Sequence, residues 1–170
     1  MILPNSGLSR LQSQRSNLNP RKNNLETLIY PYFSFNGCCR EAMQFYQQCL
    51  GGELFFQSLG DSTGTTKTKL PAKMIDLILH STLTKDKFRL MGSDVVNGER
   101  LLNGNSVSIS IQSKNKVEIQ KYFDSLSQEG RDIIPIKRTK WGTHFGSLTD
   151  KFDNHWLFTY NPKLKTNEKN

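Results

Sequence analysis

The sequence predicts an α+β domain built from two βαβββ modules that together form a cupped mixed sheet. Three observations predict it. The order strand, helix, strand, strand, strand occurs twice, at roughly 60 residues per unit. Each first strand carries an apolar pair, Phe33/Phe35 and Ile109/Ile111, just ahead of an amphipathic helix. The last stretch, 141–160, is a hairpin with two usable faces.

Residues 28–35 alternate, with Phe33 and Phe35 on one face and Tyr30, Tyr32 and Ser34 on the other. Asn36-Gly37 breaks that strand and can cap the next element. A helix over 38–50 follows, because Ala42, Phe45, Tyr46, Cys49 and Leu50 recur at helical spacing. Gly51-Gly52 ends it. Residues 53–59 read as a strand and 60–71 as a polar loop. A third strand over 73–83 places Ile75, Leu77 and Leu79 on one face, and Asp76, Ile78 and His80 on the other. Lys85-Asp86 is a turn, and 88–93 a fourth strand.

A linker over 98–104 precedes the second unit. Residues 106–112 alternate Val107, Ile109 and Ile111 against Ser106, Ser108 and Ser110. Residues 113–115 offer helix caps to a helix over 117–128, which carries Ile119, Tyr122, Phe123 and Leu126 on one stripe and stops at Gly130. A strand over 132–139 leads to the hairpin of strands 143–148 and 155–160. In its last strand Trp156, Phe158 and Tyr160 share one face; His155, Leu157 and Thr159 share the other. The modules are therefore about 28–97 and 104–160, within a domain of 28–160.

The net charge is +8. Residues 1–27 hold Arg10, Arg15, Arg21 and Lys22 against Glu26, and residues 161–170 hold Lys163, Lys165 and Lys169 against Glu168. The two tails thus carry five of the eight net charges. A nucleic-acid partner would want its basic patch on the folded part, so none is expected. No apolar run approaches the roughly 20 residues of a membrane span. Residues 1–27 read as a disordered extension: either an import sequence, being Arg- and Ser-containing and acid-poor, or a start-site extension without a role. Residues 161–170 read as a basic tail. The cysteines, Cys38, Cys39 and Cys49, are odd in number and lack C-x-x-C spacing. They read as reduced thiols in a cytoplasmic protein, small helix residues first and a catalytic thiol second.

The polar faces of the first strands suit a cleft wall, which makes Tyr32 and Ser108 ligand-binding candidates. His155 should line the same cleft, or stand at its rim. His80 falls on the cleft side of its strand, as a hydrogen-bonding group or base, or as a satisfied histidine. His144 is a polar handle beside Trp141 and Phe145, or hairpin packing; Trp141 could line the cleft. Asp94 reads as a pocket carboxylate or a turn cap. Asp150 reads as the residue that holds the hairpin turn. No P-loop, G-x-S-x-G, H-E-x-x-H or zinc-finger spacing appears, so no cofactor is expected.

The segments PYFSFNGCCREAMQFYQQCLGGEL, KMIDLILHSTL, FRLMGSD and WGTHFGSLTDKFDNHWLF, in that order, resemble the PhnB-like branch of the vicinal oxygen chelate superfamily. The superfamily includes glyoxalase I, bleomycin-resistance proteins and extradiol dioxygenases. The resemblance spans about residues 29–160. It implies the glyoxalase/bleomycin-resistance fold and a homodimer. Branch members often carry the description 3-demethylubiquinone-9 3-methyltransferase-like, yet no Gly-rich strand-to-helix loop for a methyl donor is visible. The superfamily's enzymes hold one divalent metal, and the resemblance puts those positions near Tyr30, Ser106, within 90–92, and at Leu157. None is a ligand for a hard or borderline cation, so no metal is expected there. The same resemblance puts Asp153 where the turn usually has Gly, so either the turn takes another conformation or Asp153 sits in the left-handed region, which Asp tolerates. The expected function is binding of a small organic ligand in an aromatic-lined cleft. The alternative is a metal-dependent glyoxalase- or dioxygenase-type enzyme with ligands relocated to His80, His144 and Asp94.

Overall fold

The structure is a computed structural model, and it describes residues 27–62, 71–96 and 100–163. The expected 1–27 extension therefore lies almost wholly outside the described residues, as does most of the 161–170 tail. Twelve elements follow in order: β1 (Tyr32–Phe35), α1 (Cys39–Leu50), β2 (Glu53–Ser58), α2 (Leu59–Ser62), α3 (Ala72–Ile75), β3 (Ile78–Lys85), β4 (Phe88–Asp94), β5 (Ile109–Ser113), α4 (Lys116–Leu126), β6 (Arg131–Arg138), β7 (His144–Thr149) and β8 (His155–Tyr160). They make two four-stranded sheets, ordered β1-β4-β3-β2 and β5-β8-β7-β6. In each, the first strand runs parallel to the last and the other pairs are antiparallel. The two sheets thus have one topology, as the repeated order predicts.

One face of each sheet is packed by a helix. Phe33 and Phe35 on β1, Leu83 on β3 and Leu90 on β4 are buried on the α1 side; Leu148, Trp156 and Phe158 are buried on the α4 side. The modules share one core. Tyr46 of α1 meets Trp156 of β8 edge-on at 5.5 Å, and Phe33 of β1 lies 6.4 Å from the same indole. Full burial of each such side chain is worth roughly 1.5–3 kcal/mol, so separating the modules would expose the largest buried residues.

The helix starts differ. α4 is capped locally: the Asn115 carboxamide oxygen accepts from the backbone N–H of Val117 and Glu118 at 3.0 and 3.1 Å. α1 has no side-chain cap at Cys38. Asn36 does not fill the role expected of it; the Cys39 N–H goes instead to Asp94 at the end of β4, at 2.9 Å.

The expected strand over 73–83 starts later. Residues Ala72–Ile75 form a turn of helix after Pro71, whose φ of −56° suits a helix entry. The strand begins at Ile78, where the backbone N–H is held by the second Asp94 oxygen at 2.8 Å. Alternation of Ile75, Leu77 and Leu79 mimics a strand across this boundary. A register shift between Gln57 and Ser58 accommodates the join.

Candidate functional site

The faces turned away from the helices carry the polar residues. On the first sheet Tyr32, Met91 and Thr82 lie in one row, Ser34 pairs with Ser93, and His80 shares the face of Thr82 two residues away. On the second sheet Ser110, Leu157 and Ser147 form a row, flanked by Thr159 and Phe145 on one side and His155 and Thr149 on the other. Strand alternation fixes this division, because Phe33, Trp156 and Phe158 occupy the opposite face.

Between β1 and the residues that lead into β5, a groove of about 510 Å³ opens. Tyr32 and Ser34 line it from the first module; Ser108, Ser110, Asn154 and His155 line it from the second. Three of the expected site residues, Tyr32, Ser108 and His155, are thus brought together. His80 lies on the same face as Tyr32, with ring centroids 6.3 Å apart, but outside the groove lining. Its Nε2 is 3.0 Å from Thr82 Oγ1.

The His155 ring is oriented from behind. Its Nδ1 is 3.0 Å from Thr149 Oγ1. The Thr149 hydroxyl in turn donates to Asp132 at 3.4 Å. A hydroxyl has one proton, so Thr149 accepts from His155 Nδ1–H while it donates to the carboxylate. The turn beneath is pinned by Arg131, which bonds Asp153 at 2.8 Å, and by Asn103, which donates to Asp153 at 3.3 Å. Asp153 has φ 65°, in the left-handed region its position requires.

Three expected site residues are placed elsewhere. Asp94 is 5% exposed and sits on the helix side, where both carboxylate oxygens accept backbone N–H groups. It ties α1 to β3 and does not face the groove. His144 shares its face with Gly146 and Leu148, and its ring stacks obliquely on Tyr160 at 5.2 Å. It therefore points away from His155. Its Nδ1 is the one buried side-chain nitrogen or oxygen, among the described residues, without a hydrogen-bond partner. Trp141 stands at the tip of the β6–β7 hairpin, 87% exposed, beside Arg138 and Lys140. The hairpin closes at Thr139 and Thr143, which leaves the indole beyond the sheet. His80, His144 and Asp94 thus occupy three different surroundings and make no common cation site.

The metal positions implied by the superfamily fare no better. Leu157 stands opposite Ser110 and Ser147, and Met91 opposite Tyr32. A phenol, hydroxyls, a thioether and an aliphatic chain do not fit a divalent metal. Among the described residues no group of three His, Cys, Asp or Glu side chains is placed to share one. Burial pushes the Cys39 thiol up to about 12 and Cys49 up to about 11, and raises Cys38 as well. None lines the groove.

A family model described as 3-demethylubiquinone-9 3-methyltransferase matches residues 26–159. The chain belongs to this family, within the PhnB-like branch of the vicinal oxygen chelate superfamily. Individual proteins match as well. Protein YjdN of Escherichia coli K12 is 28% identical over an alignment 137 residues long that covers 76% of this chain and 92% of YjdN. The crystal structure of protein PA1353 from Pseudomonas aeruginosa is 34% identical, with TM-score 0.69, over 80% of this chain and 98% of that one. A bleomycin resistance determinant encoded on the transposon Tn5 is 13% identical, with TM-score 0.51, over 82% of this chain and 100% of that one. That last likeness is one of fold alone, and it establishes the glyoxalase/bleomycin-resistance architecture that the paired βαβββ order predicts.

Thr149 was not legible as the support of His155, nor Asn154 as a groove residue. Thr149 follows the strand as the sequence reads it, and its place opposite His155 depends on the hairpin register. Asn154 reads as a turn former; its backbone does close the turn, yet the residue also lines the groove.

Proposed function

We propose that this PhnB-like protein binds a small organic ligand in the groove between β1 and β5, without a resident cation. The observation that carries this reading is the convergence of Tyr32, Ser34, Ser108 and an oriented His155 on one hollow of about 510 Å³. The half-exposed Tyr32 ring supplies contact area, while hydroxyls and the His155 imidazole fix orientation. A bleomycin resistance determinant shares this fold, so the architecture is compatible with a small-molecule role. The donor set at the superfamily's metal positions supports binding that needs no metal.

A homodimer belongs to the same proposal. Phe55, Ile134 and Phe145 are exposed on the strands, where a second copy can cover them. Three free thiols fit a cytoplasmic setting. Nucleic acid is not a proposed partner, since five of the eight net charges lie in the tails.

Saturation-transfer NMR with a set of small phenols and heterocyclic amines tests the reading. Hits should lose most of their signal with Tyr32→Ala and with His155→Ala. Metal analysis of protein purified without chelator should find no stoichiometric divalent ion. A tightly held zinc, nickel or iron whose removal abolishes binding would overturn the metal-free reading, and hits indifferent to both substitutions would overturn the site.

A further inference from the structure

We propose a second binding site on the Lys85 side of the seam, for a small carboxylic acid with an apolar body. A hollow of about 440 Å³ lies there, meeting the first groove only at Pro31, Ile109 and Ser110. Ile29, Leu50, Phe88, Leu90 and Ile111 supply apolar wall. At one side stands a chain of polar groups that crosses from one module to the other.

Lys85 at the end of β3 begins that chain. Its ammonium donates to the Leu50 carbonyl at 2.8 Å and to the Tyr122 hydroxyl at 2.8 Å. Tyr122 donates onward to Glu118 Oε1 at 3.2 Å, and Ser113 donates to Glu118 Oε2 at 2.8 Å. Both Glu118 oxygens are thus engaged within the protein. The ammonium has three protons and two partners, so one donor is left for an acceptor in the hollow. The Tyr122 hydroxyl, accepting its hydrogen bond, raises the Lys85 pKa, and the group is charged at neutral pH. Lys87 and Arg89 also line the hollow, against Asp86 and Glu118, so its cations outnumber its anions by one. A single carboxylate balances that excess through a charge-assisted hydrogen bond. The apolar wall takes the rest of the molecule. The first groove holds no lysine or arginine, so the two hollows select different chemistry.

Two-dimensional amide NMR of the full chain, titrated with hexanoate and separately with hexanamide, tests the site. Hexanoate should give saturable shifts at residues 86–90 and 109–113, with a Kd at least about tenfold below that of hexanamide. Lys85→Met, which keeps the apolar stem, should weaken hexanoate about tenfold and leave hexanamide unchanged. The same spectra report whether the variant is folded, and the acid–amide comparison on the unaltered chain stands without it. Equal affinity for acid and amide, absence of saturation, or shifts confined to residues 32–34 and 154–155 would each overturn the assignment. The last pattern would leave the first groove's reading intact.

Discussion

The Tyr46 hydroxyl donates to the Asp150 carboxylate at 2.8 Å, joining α1 to the β7–β8 turn across 104 positions of sequence. The same carboxylate accepts the Trp156 indole N–H at 2.7 Å and the backbone N–H groups of Phe152 and Asn154 at 2.9 and 3.0 Å. Asp150 is 1% exposed, so its charge is held by these four donors rather than by water. One carboxylate therefore shapes the turn, as the sequence reads it, and also fastens the two modules together. Asp150→Ala should cost about 3 kcal/mol or more, because it strands two buried donors, the Tyr46 hydroxyl and the Trp156 indole, and two part-buried N–H groups. Tyr46→Phe should cost about 1–2 kcal/mol. Urea unfolding of both variants measures this; an Asp150→Ala cost below that of Tyr46→Phe would contradict the arrangement.

The same hydroxyl makes stability depend on alkaline pH. Burial first, and then the Asp150 charge, raise the Tyr46 pKa well above its ordinary value of 10.0. The folded state keeps a proton that the unfolded chain releases, so stability falls as pH rises beyond about 10. Burial of Cys39 and Cys49 acts with the same sign from about pH 9, their folded values being about 12 and about 11 against an ordinary 9.0. Stability measured from pH 8 to 11 should decline, and the decline above pH 10 should shrink in Tyr46→Phe. An unchanged slope there would refute the assignment to Tyr46.

Thiol reactivity follows from the same burial. Cys39 is fully buried and Cys49 nearly so, while Cys38 is partly open. At pH 8 a disulfide reagent such as DTNB should label the native protein slowly and at Cys38 first, whereas all three thiols should react promptly in denaturant. Rapid native labelling of Cys39 would contradict its burial at the start of α1.

Asp94 offers a separation of stability from binding. Replacing it by Ala leaves the Cys39 and Ile78 N–H groups without their acceptor, at a cost of about 2–3 kcal/mol. Because it lies on the helix side, the folded variant should bind groove ligands with unaltered affinity. A lost affinity with intact fold would return Asp94 to the groove.

Gly146 tests the packing of the last hairpin. A Cβ there would stand 2.8 Å from Ile136 Cγ1 and 2.9 Å from both Ile134 O and Ile136 N. Two of these atoms belong to the β6 backbone and cannot turn aside. Gly146→Ala should cost about 2 kcal/mol or more by pushing β6 from β7, readable as a lowered denaturation midpoint.

Much of this architecture was written in local pattern. Alternation placed Phe33, Phe35 and Trp156 against the helices, and helical spacing marked Ala42, Tyr46, Ile119 and Phe123, because side-chain period follows directly from backbone geometry. Tyr32, Ser108 and His155 followed from the same parity. His80 came out on the same face, although the strand that carries it begins at Ile78 and not at 73.

What the sequence determined by itself is the repeated βαβββ order and the two-sidedness of each strand, since both depend on neighbours a few residues apart. What the tertiary structure alone decided is which distant groups meet. Asp94 has the type and position of a pocket carboxylate, and only folding gives it the N–H groups of Cys39 and Ile78. His144 and Trp141 sit close to the groove in sequence, yet the register of β6 on β7 turns one imidazole inward and leaves the indole beyond the sheet. Lys85 and Tyr122 come from different modules, and their contact exists only because the two modules close over one core.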